Sequence, residues 1–178
     1  MTADFEIFKD KLGQISRHWI SSGLPSRQAL ESTADDLEKW KRKRAIPGLW
    51  PDTPLMLTAT LDDGIGQGIS IIERYAGLAG LEVQRIGLLQ HPGFIVEKCH
   101  ILQPALLGLT VLQLDSDDAL AEVGRNRPDQ TTIIAGGPVF KFDPGMGKRC
   151  RVDYVAPNVA YFLKYLLNWS PFVRPSGQ

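Results

Sequence analysis

The stretch Pro54-Leu55-Met56-Leu57-Thr58-Ala59-Thr60-Leu61-Asp62-Asp63-Gly64-Ile65-Gly66-Gln67-Gly68 decides the fold. Leu55 to Thr60 reads as a strand, the glycine-containing segment after it as a turn, and Gln67 to Ala79 as a helix. A strand that feeds a tight glycine turn and then a helix is the opening unit of a parallel α/β sheet.

The same alternation continues toward the carboxyl end. Leu81 to Ile86 is a second strand and Phe94 to Leu102 a helix; Ala105 to Val111 is a third strand. Ser116 to Asn126 is a helix with a capping hydroxyl at Ser116, and Thr131 to Ala135 is a fourth strand. Val152 to Val155 is a short fifth strand, followed by a closing helix from Val159 to Asn168. Near-continuous apolar strands that alternate with helices are buried on both faces. The expected fold is therefore α/β, a five-stranded, parallel, doubly wound sheet of flavodoxin-like, Rossmann-like type with right-handed crossovers.

Upstream of Pro54 the period changes. Phe5, Phe8, Leu12, Ile15 and Trp19 recur at three- and four-residue steps, which predicts a helix capped by Asp4 and stopped by Gly23 and Pro25. Ser26 caps a second helix whose stripe is Leu30, Ala34, Leu37 and Trp40, and Ile46 to Pro51 is a rigid connector. Three regions follow: an N-terminal helical extension over 1–50, an α/β domain over 51–169 and an irregular tail over 170–178.

Composition narrows the function. Lys+Arg and Asp+Glu balance at 20 each, so no net field draws the chain to nucleic acid or anionic lipid. The basic run Lys39 to Arg44 follows Asp35, Asp36 and Glu38 and reads as a solvated helix face. No apolar stretch is long enough to span a bilayer, and the N-terminus lacks a signal-peptide pattern, so the expected location is cytoplasmic. Cys99 and Cys150 are then free thiols. No nucleophile triad, metal cluster or pair of catalytic carboxylates stands at a workable spacing, so no catalytic residue is assigned.

Four segments fall just past the strands: 61–66, 110–112, 136–137 and 154–158. Ligands of open α/β sheets bind beyond the carboxyl ends of the strands, so these segments converge on one place. Gly64-Ile65-Gly66-Gln67-Gly68 lacks the spacing of a dinucleotide fingerprint, and no Gly-Lys-Ser/Thr follows as in a phosphate-binding loop. Thr110 beside Gly136-Gly137 leaves a slot with little side-chain bulk, or else simply ends its strands.

Here a resemblance enters. Residues 54–169 resemble the cobalamin-binding domain of corrinoid proteins, methionine synthase and the cobalamin-dependent mutases. That family carries Asp-x-His-x-x-Gly after its first strand, Ser/Thr-x-Leu after its third and Gly-Gly after its fourth. This chain has Asp63-Gly64-Ile65-Gly66, Thr110-Val111-Leu112 and Gly136-Gly137-Pro138-Val139 in those places. Gly80 to Gly87 is similar to the family's second-strand segment, and Tyr154-Val155-Ala156-Pro157-Asn158 to its entry into the last helix. The resemblance implies a cobalamin carrier or sensor whose cofactor meets Asp62, Asp63, Gly64, Ile65, Gly66, Thr110, Leu112, Gly136, Gly137 and Ala156. It also implies a catalytic or regulatory partner on a separate chain, such as a methyltransferase.

One departure stands out. Asp63 occupies the place of the family's cobalt-ligating histidine, and Leu61 that of its first aspartate. A carboxylate is a hard oxygen donor and does not replace an imidazole on a corrinoid cobalt. That leaves a corrinoid without a protein lower ligand, a corrinoid retaining its own base, another tetrapyrrole such as haem, or no cofactor and a regulatory interaction role. His91, in the loop after the second strand, is the one candidate ligand for a metal, and a solvent-facing loop histidine is the plainer reading. His100 and His18 read as packing or surface residues. Trp19, Trp40 and Trp50 belong either to a reduced helical lid or to the core beneath it.

Overall fold

The computed structural model describes residues 3–171. Two antiparallel helices come first, α1 (Ala3–Ser22) and α2 (Arg27–Lys43). Ser26 caps α2 as expected, its Oγ accepting the Ala29 N–H at 3.3 Å. The α/β part follows as β1 (Leu55–Thr60), α3 (Gln67–Ala79), β2 (Glu82–Gly87), α4 (Pro92–Leu102), β3 (Leu106–Thr110) and α5 (Asp117–Asn126). It continues through β4 (Thr132–Gly136), α6 (Val139–Phe142), α7 (Met146–Arg149), β5 (Tyr154–Val155) and α8 (Val159–Asn168). All strand pairs are parallel, and their order is β2-β1-β3-β4-β5. This is the flavodoxin-like doubly wound sheet that the alternation predicts, with its switch point between β1 and β3.

Three details differ from the sequence reading. The Ser116 hydroxyl does not cap α5; it donates instead to Asp62 Oδ2 at 2.7 Å. The fifth strand is two residues long; Asp153 just before it accepts the Ile133 N–H at 2.7 Å through its side chain and donates its own N–H to the Ile133 carbonyl at 3.0 Å. The segment between β4 and β5 holds two single-turn helices, α6 and α7, separated by Asp143, Pro144 and Gly145. Most of the tail expected to be irregular, 172–178, lies outside the described residues.

The sheet separates two apolar clusters. One lies beneath α4 and α5 and contains Leu57, Leu107, Leu109, Ile133 and Ile95. The other lies beneath α3 and α8, and α1 and α2 form a further layer over it. The Ser16 hydroxyl of α1 donates to the Ala160 carbonyl of α8 at 2.8 Å. The Tyr75 hydroxyl of α3 donates to the Leu30 carbonyl of α2 at 2.7 Å. Trp19 meets Tyr75 edge-on at 5.7 Å, and Trp50 meets Trp169 edge-on at 5.2 Å. The three tryptophans of the N-terminal segment are thus packed into this cluster, Trp19 and Trp50 buried and Trp40 half-buried.

Candidate functional site

The carboxyl ends of β1, β3 and β4 meet in register, with Thr60 beside Thr110 and Thr110 beside Gly136. Above β1 the loop is fixed by its own carboxylates. Asp63 is buried, and its Oδ1 accepts the N–H groups of Ile65 at 2.8 Å and Gly66 at 3.1 Å. The Thr60 hydroxyl donates to the Asp63 carbonyl at 2.5 Å and accepts the Leu89 N–H at 2.9 Å. Gly66 has φ +73, and a Cβ there would lie 2.8 Å from Leu88, so only glycine turns the chain comfortably into α3.

Asp62 points the other way. Its carboxylate accepts the N–H groups of Leu112 at 2.8 Å and Gln113 at 2.9 Å, besides the Ser116 hydroxyl. It therefore ties the loop after β1 to the loop after β3 across the switch point. Charge-assisted bonds of this kind are the stronger ones, and here they set the shape of the crevice.

Below these loops a cavity of about 570 Å³ opens between the sheet and helices α3 and α8. That volume falls within the range typical of small-molecule sites. Its walls bring together Asp63, Thr110, Leu112, Gly136, Gly137 and Ala156 of the expected site. Asp62, Gly64, Ile65 and Gly66 stand outside the wall, where they shape the loop above it. The Gly136-Gly137 pair has two functions. A Cβ on Gly136 would approach the Ala156 carbonyl to 2.9 Å, and one on Gly137, with φ +133, would lie 1.9 Å from the Val111 carbonyl. The pair lets three backbones meet and keeps the slot free of side chains.

Sequence reasoning missed other parts of the wall. Gly108, two residues down β3 from Thr110, deepens the slot, and the only signal was a glycine inside an apolar strand. Leu24, Arg27 and Leu30 bring the corner between α1 and α2 to the cavity, and Arg27 donates to the Gln67 carbonyl at 2.8 Å. Lys141 reaches the wall from α6. The segments that follow the strands at this sheet edge carry exposed apolar side chains, of which Leu112 lines the cavity. Ile65 is 77% exposed and Phe142 is 78% exposed, and Leu89, Leu112 and Leu114 are exposed as well.

His91 lies apart from this cavity. It is exposed and caps α4, its Nδ1 accepting the Gly93 N–H at 3.1 Å. His100 Nε2 lies 2.7 Å from the Asn126 carbonyl. Among the described residues, no three His, Cys, Asp or Glu side chains cluster as a metal site, and no helix is long and apolar enough to cross a membrane. Cys99 and Cys150 are free and buried, and burial alone pushes the Cys99 thiol up to about 12.

No protein-family model and no curated protein matches the chain. Solved structures do match it, and corrinoid and cobalamin-binding proteins are among them. A cobalamin-binding protein from Desulfitobacterium hafniense DCB-2 superposes with TM-score 0.76 at 20% identity, over 93% of this chain and 81% of that one. The monomethylamine corrinoid protein of Methanosarcina barkeri gives TM-score 0.61 at 17% identity, over 90% and 79% of the two chains. The methanol:cobalamin methyltransferase complex MtaBC of the same organism gives 0.56 at 16%, over 92% and 66%. The fold expected from the motifs is thus the fold observed. The likeness also takes in the N-terminal helices, beyond the span that the motifs cover.

Proposed function

We propose that this chain binds a corrinoid and acts as a carrier or sensor, with no protein histidine beneath the cobalt. The observation that carries this reading is the cavity at the ends of β1, β3 and β4, bounded by Thr110 and Gly136, at a sheet edge that carries exposed apolar side chains. The slot would take the nucleotide tail, with backbone amides and the Thr110 hydroxyl holding its phosphate and ribose. The exposed side chains of Ile65, Leu89, Leu112 and Leu114 would hold the macrocycle. Lys141 in the cavity wall brings positive charge suited to the tail phosphate, while Arg27 beside it is paired with Glu31 at 3.0 Å. The corner of the N-terminal extension, Leu24 to Leu30, is the part that serves as a lid.

The residues fit such a group. Glycine at 108, 136 and 137 keeps the slot clear, and the hydroxyl of Thr110 makes no hydrogen bond among the described residues. The Asp63 carboxylate is committed to two backbone amides and is not aimed at a metal above the sheet. A bound corrinoid supplies the organometallic chemistry, while the chain supplies binding, orientation and exclusion of water. The fold shared with the MtaBC complex supports a separate methyltransferase chain as partner.

The test is retention. The purified chain is incubated separately with hydroxocobalamin, methylcobalamin and haemin, passed through gel filtration, and scanned in the visible range. Retained corrinoid with a base-off spectrum is the expected result. A Soret band lost in His91→Ala, with no corrinoid retained, overturns the proposal in favour of haem. No retained chromophore leaves a regulatory interaction module.

A further inference from the structure

The slot is polar only at its entrance. Its charged and polar side chains come from the carboxyl ends of strands or from helix starts: Asp63, Gln67, Thr110 and Asn158, with Arg27 and Lys141 outside them. On the cavity side of the sheet the rows run from Thr60, Thr110 and Gly136, down to Thr58, Gly108 and Ile134, then to Met56, Leu106 and Thr132. Successive rows on one face of a sheet lie about 7 Å apart. The apolar wall on this side includes Met56, Ile72, Ile134 and Phe162, of which Met56 and Phe162 are fully buried. Met56 is the floor, since a Cβ on Gly108 would lie 2.5 Å from its Cε.

Three hydroxyls near this floor are already committed, and Thr132, the polar member of the lowest row, does not line the cavity. Thr58 donates to Glu73 at 2.6 Å, Tyr75 to the Leu30 carbonyl and Ser16 to the Ala160 carbonyl. No buried side-chain nitrogen or oxygen among the described residues lacks a partner. A flat group that reaches the floor finds apolar contact and nothing to hydrogen-bond.

We infer that the slot selects corrinoids whose lower base is an apolar aromatic ring and discriminates against a purine base, with Met56 and Gly108 setting the selectivity. This rests on the corrinoid reading above. Dimethylbenzimidazole carries one free ring nitrogen and a cresolyl base carries none. Adenine carries three, together with an exocyclic amine. Buried without partners, those groups lose their hydrogen bonds to water and gain none in return.

The experiment compares equilibrium dissociation constants of the full chain for four corrinoids: cobalamin, the cresolyl and adeninyl analogues, and cobinamide, which has no nucleotide tail. Cobalamin and the cresolyl form should bind at least about tenfold more tightly than the adeninyl form. Equal or tighter binding of the adeninyl form overturns the inference and leaves corrinoid binding standing. Equal binding of all four, cobinamide included, also overturns it, because the tail would then make no contact in the slot. Binding of none overturns it together with the proposed function. Gly108→Ala should push Met56 into the slot, weakening cobalamin several-fold while leaving cobinamide unchanged. Thermal unfolding of that variant separates the effect from misfolding, and an unchanged cobalamin affinity in a folded variant contradicts the assignment.

Discussion

The two faces of the sheet are built from the same strands and end differently. On the side of α4 and α5, the alternate residues of the central strands are Leu57, Ala59, Leu107, Leu109, Ile133 and Ala135, all buried in a filled core. On the side of α3 and α8 the same strands present Met56, Thr58, Gly108, Thr110, Ile134 and Gly136, with a cavity against them. One face is packed for stability. The other gives up side-chain volume along β3 and β4 and leaves room for a ligand.

The most disruptive way to break this comparison is Leu107→Ala on the filled face. It should cost about 2–5 kcal/mol in urea unfolding and leave corrinoid affinity unchanged in the folded fraction. A loss of affinity without a loss of stability would show that the faces are not separate. Next comes Asp62→Ala, which removes three hydrogen bonds that join the loops. It should cost about 2 kcal/mol and release the Leu112 and Gln113 amides to hydrogen exchange. Protected amides in that variant would mean the loops hold without the latch.

Smaller effects sharpen the contrast. Gly68 lines the cavity at the start of α3, and a Cβ there meets open space. Gly68→Leu should therefore keep or raise stability, since glycine weakens helices, while corrinoid affinity drops about tenfold, or about 1.4 kcal/mol. Thr110→Val should lower affinity by about 1 kcal/mol with stability unchanged. Isothermal titration and thermal unfolding check both, and a coupled loss of stability would count against a dedicated slot.

The filled face also has a pH signature that is absent at neutrality. Burial raises the Cys99 thiol from its ordinary 9.0 to about 12. The unfolded chain therefore releases this proton first, so stability is fully present below about pH 9 and falls as pH rises toward 12. Cys99→Ala should flatten part of that decline in urea midpoints. An unchanged slope would show that Cys99 is not the group responsible.

Much of this was legible from residues close together in the chain. The bounds of β1, α3 and α8 follow from hydrophobic period and turn residues alone, and Thr110 with Gly136-Gly137 marks the slot. Interactions across the chain were not legible. Asp62 and Leu112 are fifty residues apart in sequence, and nothing local distinguishes an aspartate that latches another loop from one that faces a ligand. Ser116 read as a helix cap for the same reason. The segment after β4 was missed because Pro144 and Gly145 cut it into turns too short to show a period. Gly108 was hidden because a glycine in a strand reads as a weakness until its neighbours across the sheet are known.

In the proposed function the slot would hold the tail of a corrinoid away from its metal, and no side chain of this chain would take the tail's place. Electron paramagnetic resonance of the chain loaded with cob(II)alamin tests both parts at once. The account predicts a spectrum without axial nitrogen splitting. A nitrogen triplet, from a retained benzimidazole or from an imidazole of the protein, would contradict it.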